Sequence, residues 1–211
     1  MTSGDRNFGE RVQDPSNHFG KILRLNLDGS AAADNPFVGR AGYKPEIWTI
    51  GHRNQLGLVF DPANGNLWET EFGPRGGDEV NLITRGGNYG WIDVTQGRHY
   101  NAEPARKGVR NVEGYIDPVW AFQPSGNPGN IAIYRGSAFS TWQGNALIPN
   151  MGRPASLVRM VLSPEGHVIA TEQMLGDLGQ RLRDVRVAPD GSIYLLTDET
   201  AGAVLRITPG S

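Results

Sequence analysis

Val185-Arg186-Val187-Ala188-Pro189-Asp190-Gly191-Ser192-Ile193-Tyr194-Leu195-Leu196-Thr197 reads as two short strands joined by an acidic residue and a glycine. Val, Ile, Leu and Tyr favour a pleated, half-buried surface. A glycine after Asp supplies the positive φ that a tight hairpin turn needs. The same template recurs upstream. Leu56 to Phe60 runs into Asn64-Gly65 and then Leu67 to Glu71. Leu157 to Leu162 runs into Glu165-Gly166 and then Val168 to Glu172, and Ile22 to Leu27 runs into Asp28-Gly29. The second strand of each complete pair ends in Thr or Glu. No stretch of a dozen residues holds apolar positions at helical spacing without Gly or Pro intervening. The chain therefore reads as all-β. A repeated antiparallel unit of this size suits the four-stranded blade of a β-propeller. A β-sandwich fits the strand pattern too, because the turns are unevenly spaced.

Composition narrows the function. The chain has 211 residues, enough for a sizeable core. No linker divides it, so residues 1–211 are expected to form one domain. The net charge is −2, which gives no electrostatic case for a nucleic-acid or membrane-surface partner. There is no cysteine, which excludes disulfides and thiolate metal sites. No apolar run reaches the ~20 residues of a membrane helix. The segment Met1 to Glu10 is polar and has no signal-peptide core, so either a cytoplasmic location or a lost start is expected.

Four segments carry side chains suited to chemistry. Gly51-His52-Arg53-Asn54 follows a strand at Glu46 to Ile50 and offers a guanidinium fork and an amide to a planar ligand with carboxylates or quinone oxygens. Glu71-Phe72-Gly73-Pro74-Arg75-Gly76-Gly77-Asp78-Glu79 pairs a turn, able to aim carbonyls at one point, with two carboxylates just after it. Calcium favours that oxygen set; a surface loop with ordinary charges is the plainer alternative. Gly87-Asn88-Tyr89-Gly90-Trp91 puts an aromatic pair in a turn. In Gln180-Arg181-Leu182-Arg183-Asp184, two guanidiniums two residues apart would share a strand face. Without a nearby acid they would imply an anionic partner; an ordinary surface pair is the alternative. Gln96 to Asp117 is polar, lacks alternation and reads as a long site-lining loop. Of the four histidines, His18, His99 and His167 read as surface or structural. No nucleophile elbow or phosphate loop is present.

These segments, with His18-Phe19-Gly20-Lys21-Ile22-Leu23-Arg24-Leu25 and Leu196-Thr197-Asp198, occur in the same order in soluble aldose (glucose/sorbosone) dehydrogenases that use pyrroloquinoline quinone. The chain resembles that family over nearly its whole length, least from Gln96 to Ile116. The resemblance implies a six-bladed propeller, here a partial one of about three to four blades. It implies that Arg53, Asn54, Arg181 and Arg183 hold the quinone. It also implies that the carbonyls of Gly73 and Pro74 bind the calcium that polarises it. Glu79 and the Tyr89 carbonyl match a second, structural calcium position.

Three departures accompany the match. The family's catalytic His lies upstream of the strand that matches Gly4-Asp5, so the chain is expected to begin after it and its catalytic residues are unknown. A cofactor-binding Lys falls near Gly152, where only Arg153 is cationic. Phe72 replaces a polar residue before the Gly-Pro pair. A half-built cofactor site is expected from these. A calcium-dependent lactone hydrolase and a non-catalytic propeller fragment stand as alternatives. The expected partners are a small sugar or lactone and, through open blade faces, a second copy of the chain. The family is typically periplasmic or secreted.

Overall fold

The computed structural model describes residues 1–100, 103 and 105–210. The long-loop expectation, Gln96 to Asp117, therefore lies partly outside the described residues, at positions 101, 102 and 104. Fourteen strands follow in chain order: β1 (Thr2–Ser3), β2 (Lys21–Leu23), β3 (Ile47–Ile50), β4 (Asn54–Phe60), β5 (Leu67–Phe72), β6 (Asp78–Ile83), β7 (Trp120–Phe122), β8 (Ala132–Ile133), β9 (Ala146–Asn150), β10 (Ser156–Leu162), β11 (Val168–Met174), β12 (Leu182–Val187), β13 (Ile193–Thr197) and β14 (Val204–Ile207). Helical structure among the described residues is limited to three single 3-10 turns, at Gly9–Arg11, Ser140–Trp142 and Gly176–Leu178.

The strands form four small sheets, ordered β1-β2-β3, β4-β5-β6-β7, β11-β10-β9-β8 and β12-β13-β14. Consecutive strands are neighbours, as short turns demand, and every pairing resolved between named strands is antiparallel. Four sheets of three or four strands fit the blade expectation. Two large sheets, as a sandwich requires, are not what forms.

Three of the four expected hairpins are present, and their turn glycines, Gly65, Gly166 and Gly191, all have positive φ. The fourth differs. β2 stops at Leu23, and the pairing across Asp28-Gly29 shrinks to one antiparallel bridge, Leu25 with Ala31, with Asn26 N–H donating to Ser30 O at 2.8 Å. The next strand, β3, begins only at Ile47. Leu27 is fully exposed, so no apolar partner extends the strand through it.

The chain falls into two compact units, one of Met1–Gln55 with Glu71–Pro124, the other of Leu56–Thr70 with Ser125–Ser211. In the first, Leu23, Phe37 and Ile47 form a core with Tyr43 and Ile50 packed against it. In the second, Tyr134, Leu147, Leu157, Leu182, Val185, Ile193 and Leu195 form the core, with Phe139 and Trp142 against it. The alternation of β13 explains the second core: Ile193 and Leu195 point inward, while Leu196 lies 43% exposed.

Candidate functional site

In the first unit the site grows from the end of β3. His52 is fully buried. Its Nδ1 lies 3.2 Å from Glu71 Oε2, and its Nε2 lies 2.9 Å from Thr49 Oγ1. Its ring stacks on Tyr89, centroids 4.7 Å apart. Burial lowers the His52 pKa to about 3, so the imidazole is neutral at physiological pH. Glu71, on β5, accepts the backbone N–H of Arg53 at 3.2 and 3.3 Å. Burial pushes its carboxyl up to about 8, although the Arg53 N–H and charge pull the other way. Arg53 is thereby fixed at its backbone. Its guanidinium donates from Nη1 to Phe72 O at 3.0 Å and from Nη2 to Tyr100 at 3.4 Å. It stands over the rings of Trp91 and Tyr100, 5.4 and 5.8 Å from their centroids. Its Nε is buried and unpaired among the described residues. An orphaned buried donor beside an open cavity fits an oxygen-rich anionic ligand.

That cavity, about 310 Å³, is lined by Asp5, Arg53, Pro74, Trp91, His99 and Tyr100, among others. Asp5 accepts Trp91 Nε1–H at 2.8 Å and Asn7 N–H at 3.1 Å, which fixes the indole. His99, read from the sequence as surface or structural, is buried against Trp91, centroids 5.2 Å apart.

The turn Gly73–Gly77 does not behave as a surface loop. Asp78 and Glu79 open β6 and are both buried. Asp78 Oδ1 accepts Gly73 N–H at 2.9 Å, closing the turn. The carbonyl oxygens of Gly76 and Gly77 crowd Gly73 so closely that a Cβ there would lie 2.4 Å from each. Pro74 O accepts Arg98 N–H at 2.8 Å. Calcium takes backbone carbonyls together with carboxylates, and the turn brings both types of group close together. Glu79 is 6% exposed, and its pKa is raised well above the carboxylate range by burial first and then by the charge of Glu71. Asn81 Nδ2 donates to it at 3.2 Å. A buried, charge-crowded carboxylate fits a cation better than water. Tyr89 is held by its hydroxyl, which donates to Leu82 O at 2.7 Å and accepts from Thr84 N–H at 2.8 Å. Asn54 is exposed at the start of β4.

In the second unit Arg181 and Arg183 stand together, but the condition under which they would imply an anionic partner is not met, since an acid lies near both. The β12–β13 hairpin carries Asp198 back to Arg181, whose carbonyl accepts Asp198 N–H at 2.8 Å. Asp198 Oδ2 accepts from Arg181 Nη2 at 2.9 Å, and its Oδ1 lies 3.7 Å from Arg183 Nε. Both guanidiniums also reach Met151 Sδ, at 3.8 and 3.3 Å. The two side chains remain about half exposed, 52% and 49%. Gly152, where the family places a Lys, admits no side chain. A Cβ there would lie 2.8 Å from the carbonyls of both Ser125 and Gly126.

Sequence reasoning missed Glu71, Asp5, His99 and Tyr100 as site residues. Only Glu71 carried a signal: it sits two residues from Glu69, on the same face of a strand that opens on Leu67-Trp68 and closes on Phe72.

Four small antiparallel sheets of three or four strands define a fold of propeller blades. The glucose/sorbosone dehydrogenase family model matches residues 1–206, and the chain belongs to that family. It is 38% identical over 209 residues to the aldose sugar dehydrogenase YliI of Escherichia coli strain K12, covering 98% of this chain and 55% of that protein. A crystal structure of glucose dehydrogenase superposes with a TM-score of 0.94 at 40% identity, over all of this chain and 60% of that one. The PQQ-bound aldose sugar dehydrogenase of Streptomyces coelicolor superposes with a TM-score of 0.72 at 27% identity, over 96% of this chain and 56% of that one. The chain spans about half the length of the curated relatives it matches.

Proposed function

We propose that this chain supplies calcium- and quinone-holding residues of a sugar dehydrogenase acting on aldoses. The observation that carries the reading is Arg53. Its backbone is fixed by Glu71, its fork is anchored on Phe72, and its Nε is buried without a partner beside the cavity. In the first unit Arg53 and Asn54 would meet the quinone's oxygens and carboxylates; in the second, Arg181 and Arg183 offer cationic groups suited to an anionic ligand. The carbonyls of Gly73 and Pro74 would hold a calcium ion, and Glu79 with the Tyr89 carbonyl a second, structural one. Bound pyrroloquinoline quinone supplies the hydride acceptor for oxidation of a sugar hydroxyl. The chain's own part is to orient: His52, neutral and locked between Thr49 and Glu71, keeps Arg53 at one position. Trp91, Tyr100 and Pro74 line the cavity beside it.

The test is a visible-absorbance titration of pyrroloquinoline quinone into the 211-residue chain, with millimolar calcium and with chelator. Saturable, calcium-dependent binding that Arg53→Ala abolishes is the expected result. No quinone binding in either condition, together with no effect of calcium on thermal stability, would overturn the reading.

A further inference from the structure

Arg75 occupies the left-handed region, φ 54°, in the turn Gly73–Gly77. The two positive-φ positions that follow it are glycines, Gly76 and Gly77. A Cβ is disfavoured in that conformation by its clash with the following carbonyl. A non-glycine residue held there points to a use for its side chain. The Arg75 guanidinium forms no ion pair among the described residues. It stands 5.6 Å from the centroid of the Tyr100 ring. Arg53 stands 5.8 Å from the same centroid. Tyr100 lines the 310 Å³ cavity, as does Pro74, the residue before Arg75. Tyr100 is 64% exposed, so a phenol side chain with two guanidiniums over its ring is accessible to a ligand.

The charges around this face are unequal. Asp5 is the one acid lining the cavity among the described residues, and both its oxygens already accept hydrogen bonds, from Trp91 and Asn7. Arg53 anchors part of its fork on Phe72. Arg75 lies beside the cavity, over Tyr100 and not among its lining residues, and its planar fork, without an ion pair among the described residues, is a geometry matched to a carboxylate. The cavity is at the small end of ligand pockets, a size for one sugar ring.

We propose that this cavity takes an acidic aldose, a hexuronate, with its ring against Tyr100 and its carboxylate on Arg75. The proposal rests on the reading of the chain as part of a sugar dehydrogenase and adds the class of sugar.

The experiment titrates the 211-residue chain with D-glucuronate, D-glucose and acetate at constant ionic strength, following tryptophan fluorescence, since Trp91 lines the cavity. Glucuronate should bind about tenfold more tightly than glucose, a difference of about 1.4 kcal/mol. Added salt should narrow that gap. Arg75→Gln should bring glucuronate down to the glucose level, Arg75→Lys should restore part of the difference, and Tyr100→Ala should weaken both sugars. Circular-dichroism melts establish that each variant is folded. Equal binding of the two sugars, no binding of either, an unaffected Arg75→Gln variant, or acetate competing as well as glucuronate would each overturn the proposal. Quinone absorbance recorded on the same samples separates the two readings. Lost quinone binding with the glucuronate preference intact strikes only the proposed function, and the reverse strikes only this inference.

Discussion

His52 Nδ1 lies 3.2 Å from Glu71 Oε2, and both side chains are shut away from water. The contact joins the end of β3 to β5 and fixes the backbone of Arg53 between them, through the Arg53 N–H bonds to the same carboxyl. Glu71→Ala would leave the Arg53 N–H and the imidazole unpaired in a buried place. Each such loss is worth about 1–3 kcal/mol, so the variant should lose on the order of 3 kcal/mol. Glu71→Gln keeps an acceptor and should lose less than half of that. Urea denaturation gives the comparison; equal midpoints for Glu71→Ala and the parent chain would show that the contact holds nothing in place.

Lys21 gives the pH dependence. Its ammonium is wholly buried and donates to the carbonyls of Val12 and Phe19, both at 2.6 Å. Burial lowers its pKa to about 8. In the unfolded chain it returns to ~10.4. Between those values the unfolded state binds more protons than the folded one, so stability rises with pH. The rise should amount to roughly 3 kcal/mol from pH 8 to pH 10.5 and be absent in Lys21→Met. Melting temperatures across that range decide it, and a flat profile for the parent chain would refute it.

How far the sequence reached follows from what each feature depends on. The hairpins at Asn64-Gly65, Glu165-Gly166 and Asp190-Gly191 were legible because turn and strand signals are local. The Asp28-Gly29 hairpin was read too long: its turn is real, but the pairing across it is the single bridge of Leu25 with Ala31, and Leu27 lies exposed in the turn. Asp198 was visible in the sequence, yet its pairing with Arg181 and Arg183 depends on the register of β12 against β13. No periodicity marks Lys21 as buried, since a lysine is almost never fully buried and only the carbonyls of Val12 and Phe19 make it tolerable. Gly73, Pro74, Glu79 and Tyr89 were reached by resemblance. The burial of Asp78 and Glu79 replaces the surface-loop alternative with a physical reason for a cation there.

Restoring the family's lysine should fail. Gly152→Lys would drive a Cβ against the carbonyls of Ser125 and Gly126, each 2.8 Å away. Overpacking of this kind destabilises by about 1–3 kcal/mol. Gly152→Ala should lose as much as Gly152→Lys, since the clash begins at Cβ. A lysine variant as stable as the parent chain, with tighter quinone binding, would contradict this.

Asp198 should matter little to stability. Its pairs with Arg181 and Arg183 are about half exposed, and such pairs contribute about 0–1 kcal/mol. Asp198→Asn should shift the melting temperature by no more than a few degrees. A drop of more than 3 kcal/mol in denaturant unfolding would mean that the hairpin, and not just two surface charges, depends on Asp198.

Glu79 supports the sharpest metal prediction. Its carboxyl is buried beside the like charge of Glu71, and both are pushed upward as acids. A calcium ion there would convert that repulsion into attraction, so binding should be coupled to folding. At free calcium one hundred times its dissociation constant, the folded state gains about 2.7 kcal/mol. For a chain of this size that is roughly 5–10 °C in melting temperature. Glu79→Gln removes the charge and keeps the shape. In chelator it should be as stable as the parent chain or more so, because a buried uncompensated acid has gone. In calcium it should lose most of the gain. Magnesium should do less, since it demands a tighter octahedral shell and gives up its waters reluctantly. Calorimetric scans of both proteins in chelator, magnesium and calcium make the comparison. A calcium-induced rise of the same size in Glu79→Gln would place the ion elsewhere, and no rise in the parent chain would remove the metal from this site.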